Sequence, residues 1–210
     1  QNGVLKKEGE YTFTKDPTKI MVEKGSAVDA KADITIDTTK AKLELSGKDA
    51  GIKADGHHQV SITGSTVITG KDAISASNGG KVTLEGMTEI TGKGGRAISL
   101  TGKDSKVAIT GNAAASITGA VYVAGGNLTV NTGATTTMKG NVLVDGGKAD
   151  ITLGDKASTL TGDLSVSNNG QLTLNVTNGA KVTGSYAASN GTLTMNVKDG
   201  GYWILKDAVN

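Results

Sequence analysis

The sequence predicts an all-β chain wound into a right-handed parallel β-helix. Three observations carry that expectation. The chain holds 31 glycines and one proline, and aromatic residues make up only 3% of it, yet 36% is hydrophobic, mostly Ile, Val, Leu and Ala. Val, Ile and Thr favour strands while Gly and Asn favour turns, so many short strands are implied. A short apolar–polar–apolar run also recurs: KVTL at 81–84, KVAI at 106–109, NLTV at 127–130, DITL at 150–153, QLTL at 171–174 and TLTM at 192–195. Finally, from Val60 the first aliphatic residue of each run returns after 22, 25, 21, 23, 21 and 21 residues, at Val82, Val107, Leu128, Ile151, Leu172 and Leu193.

Each repeat divides into three runs. The first alternates, as in Leu172-Thr173-Leu174, so one face is buried and the other wet. The second ends in aliphatic-Thr-Gly, as in Ile68-Thr69-Gly70 and Val182-Thr183-Gly184; the same phrase also closes a first run at Ile62-Thr63-Gly64. The third is brief, as in Val121-Tyr122-Val123 or Val142-Leu143-Val144. Gly- and Asn-rich corners such as Asn78-Gly79-Gly80 and Asn190-Gly191 tolerate positive φ and can turn the chain. Strands this short gain stability only by stacking on the next repeat. Three strands and three corners in about 21 residues give about nine coils. At about 4.8 Å per layer the rod is on the order of 40 Å long. Residues 1–30 are expected to form an N-terminal cap and an irregular first coil, and 31–210 the regular coils of a single domain. The expected inward ranks are Ile34, Val60, Val82, Val107, Leu128, Ile151, Leu172 and Leu193, with Ile36 through Met195 beside them.

The net charge of +2 gives no reason to expect a nucleic-acid partner. No apolar run is long enough to span a membrane as a helix. Without Cys there are no disulfides, iron–sulfur clusters or Cys-zinc sites. Residues 1–106 carry 16 basic and 14 acidic side chains and residues 107–210 only six of each, leaving the second half a surface of Thr, Ser, Asn and Gly.

Catalytic constellations are sparse. His57-His58 invites a metal-site reading, or one as the Gly-His-Gly loop of β-helical pectin hydrolases. Adjacent residues of an extended segment point to opposite faces, however, and His58 stands where that loop has a glycine. A solvated corner is the expectation there. A polysaccharide lyase needs clustered carboxylates and a placed base, but the acids here are dispersed and Arg96, the sole Arg, is expected as a solvated side chain at the Gly94-Gly95 corner. No GxSxG occurs. No enzyme activity, metal or cofactor is expected.

The outward residues are more informative. On the first strand they read Thr12, Thr35, Ser61, Thr83, Ala108, Thr129, Thr152, Thr173 and Thr194, a nearly continuous hydroxyl ladder. It is either an ordinary strand surface, a face for binding another rod or protein, or an ice-binding array, this last weakened because only one rank is regular. On the third strand Tyr122 and Leu143 fall one coil apart and offer a small apolar contact. The candidate binding residues are therefore Thr83, Thr129, Thr152, Thr173, Thr194, Tyr122 and Leu143.

The degenerate coils, the SNG- and DGG-type corners, the lack of Cys and the closing GTLTMNVKDGGYWILKDAVN, with Leu193, Met195, Val197 and Trp203, resemble the passenger domains of bacterial autotransporter adhesins. The likeness is to the self-associating, antigen 43 and AIDA-I type, and covers roughly residues 11–210. The Lys-rich N-terminal half departs from that type. The resemblance implies a non-catalytic fragment displayed on the bacterial surface, exported through an outer-membrane barrel encoded further along the polypeptide. It implies a role in aggregation, biofilm or attachment, with partners that are further copies of the rod or a host matrix protein or glycan. A carbohydrate-active β-helix enzyme, a tailspike-like depolymerase and a structural stalk are the alternatives.

Overall fold

The computed structural model describes residues 4–206. Among them there is no helix; short strands stack in parallel as a solenoid of about nine turns, about 22 residues apart, in the form of a right-handed β-helix. Three parallel sheets run its length. The first takes Gly9–Thr12, the starts of Ile34–Gly47 and Gln59–Gly70, then Lys81–Glu85, Lys106–Gly111, Asn127–Thr132, Lys148–Leu153, Gln171–Val176 and Thr192–Val197. The ends of Ile34–Gly47 and Gln59–Gly70 pass through a corner into the second sheet, which closes on Tyr202–Ile204. Thr88–Thr101 and Ala115–Ala124 likewise join the second sheet to the third, which closes on Tyr186–Ser189.

The interior is a set of stacked aliphatic columns. Ile36, Ile62, Leu84, Ile109, Val130, Ile151 and Leu174 lie one above another in the first sheet, each almost fully buried. Ile20, Leu45, Ile68, Ile90, Ile117, Met138, Leu160 and Val182 do the same in the second. Each such side chain contributes about 1.5–3 kcal/mol, and only because its neighbouring coils cover it. At the last coil the column ends in aromatics: Trp203 sits over Val182 and Tyr186 over Leu164, their rings edge to face at 6.4 Å.

The structure corrects the register of one coil. Ala149, not Ile151, pairs with Leu128 and Leu172, while Ile151 pairs with Val130 and Leu174. KADITL reads as a strand beginning at Ile151 because an alanine is a weak signal for a core position. The two residues of apparent slack fall instead in later corners, near Asp155 and at Asn168-Asn169. Both Asn168 and Asn169 adopt positive φ, of 50° and 62°.

Residues 9–30 form a complete coil in register with the next. Leu5 adds a bridge to Val28 on its outer side. Two corners protrude. Four residues, 39–42, stand where the next coil has only Ser65, and four, 92–95, where the next has only Gly119.

The aliphatic-Thr-Gly phrase is a corner device. In Ile117-Thr118-Gly119 and Leu160-Thr161-Gly162 the aliphatic residue is inward, Thr is outward and Gly turns the chain. Gly119, Gly140, Gly162 and Gly184 stack as a column; a Cβ on Gly162 would lie 1.9 Å from the Gly140 carbonyl oxygen.

Candidate binding faces

The first sheet presents its outward residues in three parallel ranks. The middle one contains most of the expected hydroxyl ladder: Thr35, Ser61, Thr83, Ala108, Thr129, Asp150, Thr173 and Thr194. Two members differ from expectation. Asp150 occupies the place assigned to Thr152, which follows from the register correction at Ala149. Thr12 pairs with Asp37, one dipeptide along, and Glu10 stands opposite Thr35. The ladder is also recessed, since Thr83, Thr129 and Thr173 are only half exposed.

Thr152 belongs to the rank that becomes amide-rich towards the C-terminus. Asn175 stands opposite it and opposite Asn196. The Asn175 amide donates to Asp150 Oδ1 at 3.0 Å and to Thr152 Oγ1 at 3.3 Å, and the Asn196 amide donates to Asn175 Oδ1 at 3.0 Å. These bonds tie three coils together along the surface.

The rank at the opposite edge of the sheet was not singled out from the sequence. It reads Gln59, Lys81, Lys106, Asn127, Lys148, Gln171 and Thr192, all exposed. Its signal was present as the residue before the first inward aliphatic of each coil, but counting charge by halves of the chain hides a feature that exists only after stacking.

The second sheet carries another hydroxyl rank that the sequence reading left unassembled: Thr69, Thr91, Thr118, Lys139, Thr161 and Thr183. All five threonines belong to aliphatic-Thr-Gly phrases, and each is outward on a strand, as is Lys139.

On the third sheet Tyr122 and Leu143 are register partners and both are half exposed. Tyr122 is not a free anchor. The Arg96 guanidinium lies 3.9 Å from its ring centroid and donates from Nη1 to Ser99 Oγ at 3.3 Å. Arg96 is thus a packing residue of this sheet rather than a solvated corner cation.

His57 is exposed and His58 half buried at the Asp55–His58 corner, the His57 ring lying against Gly79. Among the described residues no three His, Cys, Asp or Glu side chains cluster closely enough to hold a metal. The perturbed carboxylates are engaged in corners. Hydrogen bonds from Asn78 and Ser77 hold Asp55 below its ordinary value. The Thr135 and Ser158 hydroxyls do the same for Asp155, each donating at 2.7 Å, and the Thr39 amide and hydroxyl for Asp37. Asp145 repeats the Asp55 arrangement at the same corner four coils on, accepting from Ser167 and Asn168. The chemistry available is therefore multiple hydrogen bonding and point-charge attraction along flat faces. Comparison with known proteins finds no matching family model, no matching curated protein and no matching solved structure.

Proposed function

We propose that the chain is a non-catalytic adhesion rod, a surface-displayed passenger fragment that holds cells to one another or to host matrix and glycans. The observation that supports this reading best is the first sheet: three exposed or half-exposed polar ranks in register through successive coils. Each contact on such a face is weak, but repetition along the rod and across many displayed copies raises the effective concentration and so the avidity. The corner carboxylates Asp55, Asp145 and Asp155, bound to hydroxyls and amides of an adjacent coil, serve the rod's cohesion. A depolymerase or lyase calls instead for carboxylates converging on a groove.

The test is display of the chain on the surface of a non-adherent bacterium, scored for aggregation and for attachment to matrix-coated plates. Displaying cells are expected to aggregate or attach, and Thr83→Glu, Thr129→Glu and Thr173→Glu together are expected to abolish it. Wild-type display without any gain in adhesion, at confirmed surface density, would overturn the reading. Adhesion undiminished in the triple variant would remove the first sheet from it and favour a stalk.

A further inference from the structure

Resting on the reading of the rod as a binding surface, we infer that the Lys81–Lys106–Lys148 rank of the first sheet is a docking track for a sulfated polysaccharide lying along the rod axis. Lys81 and Lys106 are directly opposed in adjacent coils, and Lys148 follows two coils on, past Asn127. Layer spacing sets these cations about 5 and about 10 Å apart. None of the three is in an ion pair among the described residues, where the ion pairs are Lys19–Glu44 and Lys31–Asp29. Like charges directly opposite across a strand pair are destabilising. The stacked Lys81 and Lys106 therefore cost the fold something that no acid opposite them returns, and such uncompensated violations concentrate at functional sites.

The surface there is concave. One depression of about 420 Å³ is lined by Lys106, Asn127, Lys148, Asp150, Gln171 and Thr173 among others. A second, of about 470 Å³, adjoins it, sharing Lys106 and Asn127 and adding His57, Lys81, Lys103 and Asp104. Together they make one open trough crossing successive coils. Its four lysines face two carboxylates, and Asp150 already accepts the Asn175 amide. The trough is thus locally cationic.

The occupant follows from the pattern. Cations repeat at one- and two-coil intervals, with amides of Gln59, Asn127 and Gln171 between and beyond them and the Thr83–Thr129–Thr173 hydroxyls alongside. A linear polymer with repeated anionic groups separated by neutral hydroxyls matches both features, because a pyranose unit advances by about one layer spacing. A nucleic acid matches less well. The trough has no aromatic platform for bases and no arginine fork for phosphates, since Arg96 lies on the third sheet with Tyr122.

The test is surface plasmon resonance of the whole chain over immobilised heparin, with size-defined heparin oligosaccharides as competitors, across a salt series. Wild type is expected to bind. Lys81→Gln, Lys106→Gln and Lys148→Gln combined should lower the affinity at least about tenfold and reduce the salt exponent by about two to three. Lys19→Gln with Lys31→Gln, which alters ion-paired lysines outside the trough, should change neither. Circular dichroism melting checks that the triple variant is folded; replacing these exposed lysines should leave the melt at or slightly above that of wild type, because the Lys81–Lys106 repulsion is relieved. Unchanged heparin binding in the folded triple variant would overturn the inference. So would equal binding of N- and O-desulfated heparin, or of single-stranded DNA with the same loss in the triple variant. Displaying cells that adhere while the purified chain ignores heparin would sink this inference and leave the adhesion reading standing. Heparin binding by a chain whose displaying cells do not adhere would sink the adhesion reading instead.

Discussion

Replacing Ala149 by Glu tests the register on which every rank described above depends. Ala149 is 3% exposed and stacked between Leu128 and Leu172, both 1% exposed. A slip of two residues, setting Ile151 opposite Leu128, would take Ala149 out of that column. In the observed register the new carboxyl enters a column of aliphatics with no hydrogen-bond partner, at about 2–7 kcal/mol. The added side-chain volume strains the packed layer by about 1–3 kcal/mol more. The sum, about 3–10 kcal/mol, is comparable with the total stability of an ordinary domain, about 5–15 kcal/mol. Because each coil rests on its neighbours, the damage spreads first to the shorter segment beyond the lesion. Trp203, the only Trp, lies in that segment, packed over Val182. Urea unfolding followed by Trp203 fluorescence should therefore shift to much lower denaturant than in wild type and precede the loss of the far-ultraviolet β signal. The neighbouring Asp150→Thr exchanges one exposed acceptor of the Asn175 amide for a hydroxyl, with Thr152 Oγ1 still accepting, and should stay within about 0.5 kcal/mol of wild type. An Ala149→Glu chain that unfolds at the wild-type midpoint would refute the register and, with it, the composition of the surface ranks.

Three further outcomes are expected. Gly162→Ala should lower thermal stability by about 2 kcal/mol or more, since its Cβ would lie 1.9 Å from the Gly140 carbonyl oxygen and the backbone must move; a calorimetric scan reads it, and an unchanged Tm would contradict the glycine column. Asp155, whose hydrogen bonds from Thr135 and Ser158 hold it below its ordinary value of 3.8, contributes stability above that unfolded value and loses it as pH falls through the lower, folded one. Asp37 and Asp55 act in the same direction, so the melting temperature should fall on acidification below about pH 4, and Asp155→Asn should be less stable at neutral pH with a shallower acid dependence. Arg96→Ala should cost about 0.5–1 kcal/mol through loss of the stack on Tyr122, and a double-mutant cycle with Tyr122→Leu should show coupling of that size.

The fold was legible because the core writes itself as alternation. Leu172-Thr173-Leu174 and its counterparts mark the inward columns, and the Gly- and Asn-rich corners mark the turns. The register at 148–153 was not legible, because the smallest core residue, Ala149, carries little hydrophobic signal and corner insertions hide the offset. That single slip moved Thr152 out of the hydroxyl ladder and put Asp150 in. The lysine rank was spelled out in KVTL, KVAI and KADI, but it becomes a feature only when residues 25 and 42 positions apart are brought to within one and two layers of each other. Tyr122 looked like an open anchor because nothing in the sequence says that Arg96, carried past the protruding 92–95 corner, folds over its ring.

The central claim is that this rod binds through its first sheet, and adhesion of cells displaying it measures that claim most directly. Cells carrying the wild-type chain should aggregate or attach to matrix. At equal display density, cells carrying Thr83→Glu, Thr129→Glu and Thr173→Glu should do neither. Equal adhesion by the two would contradict the account.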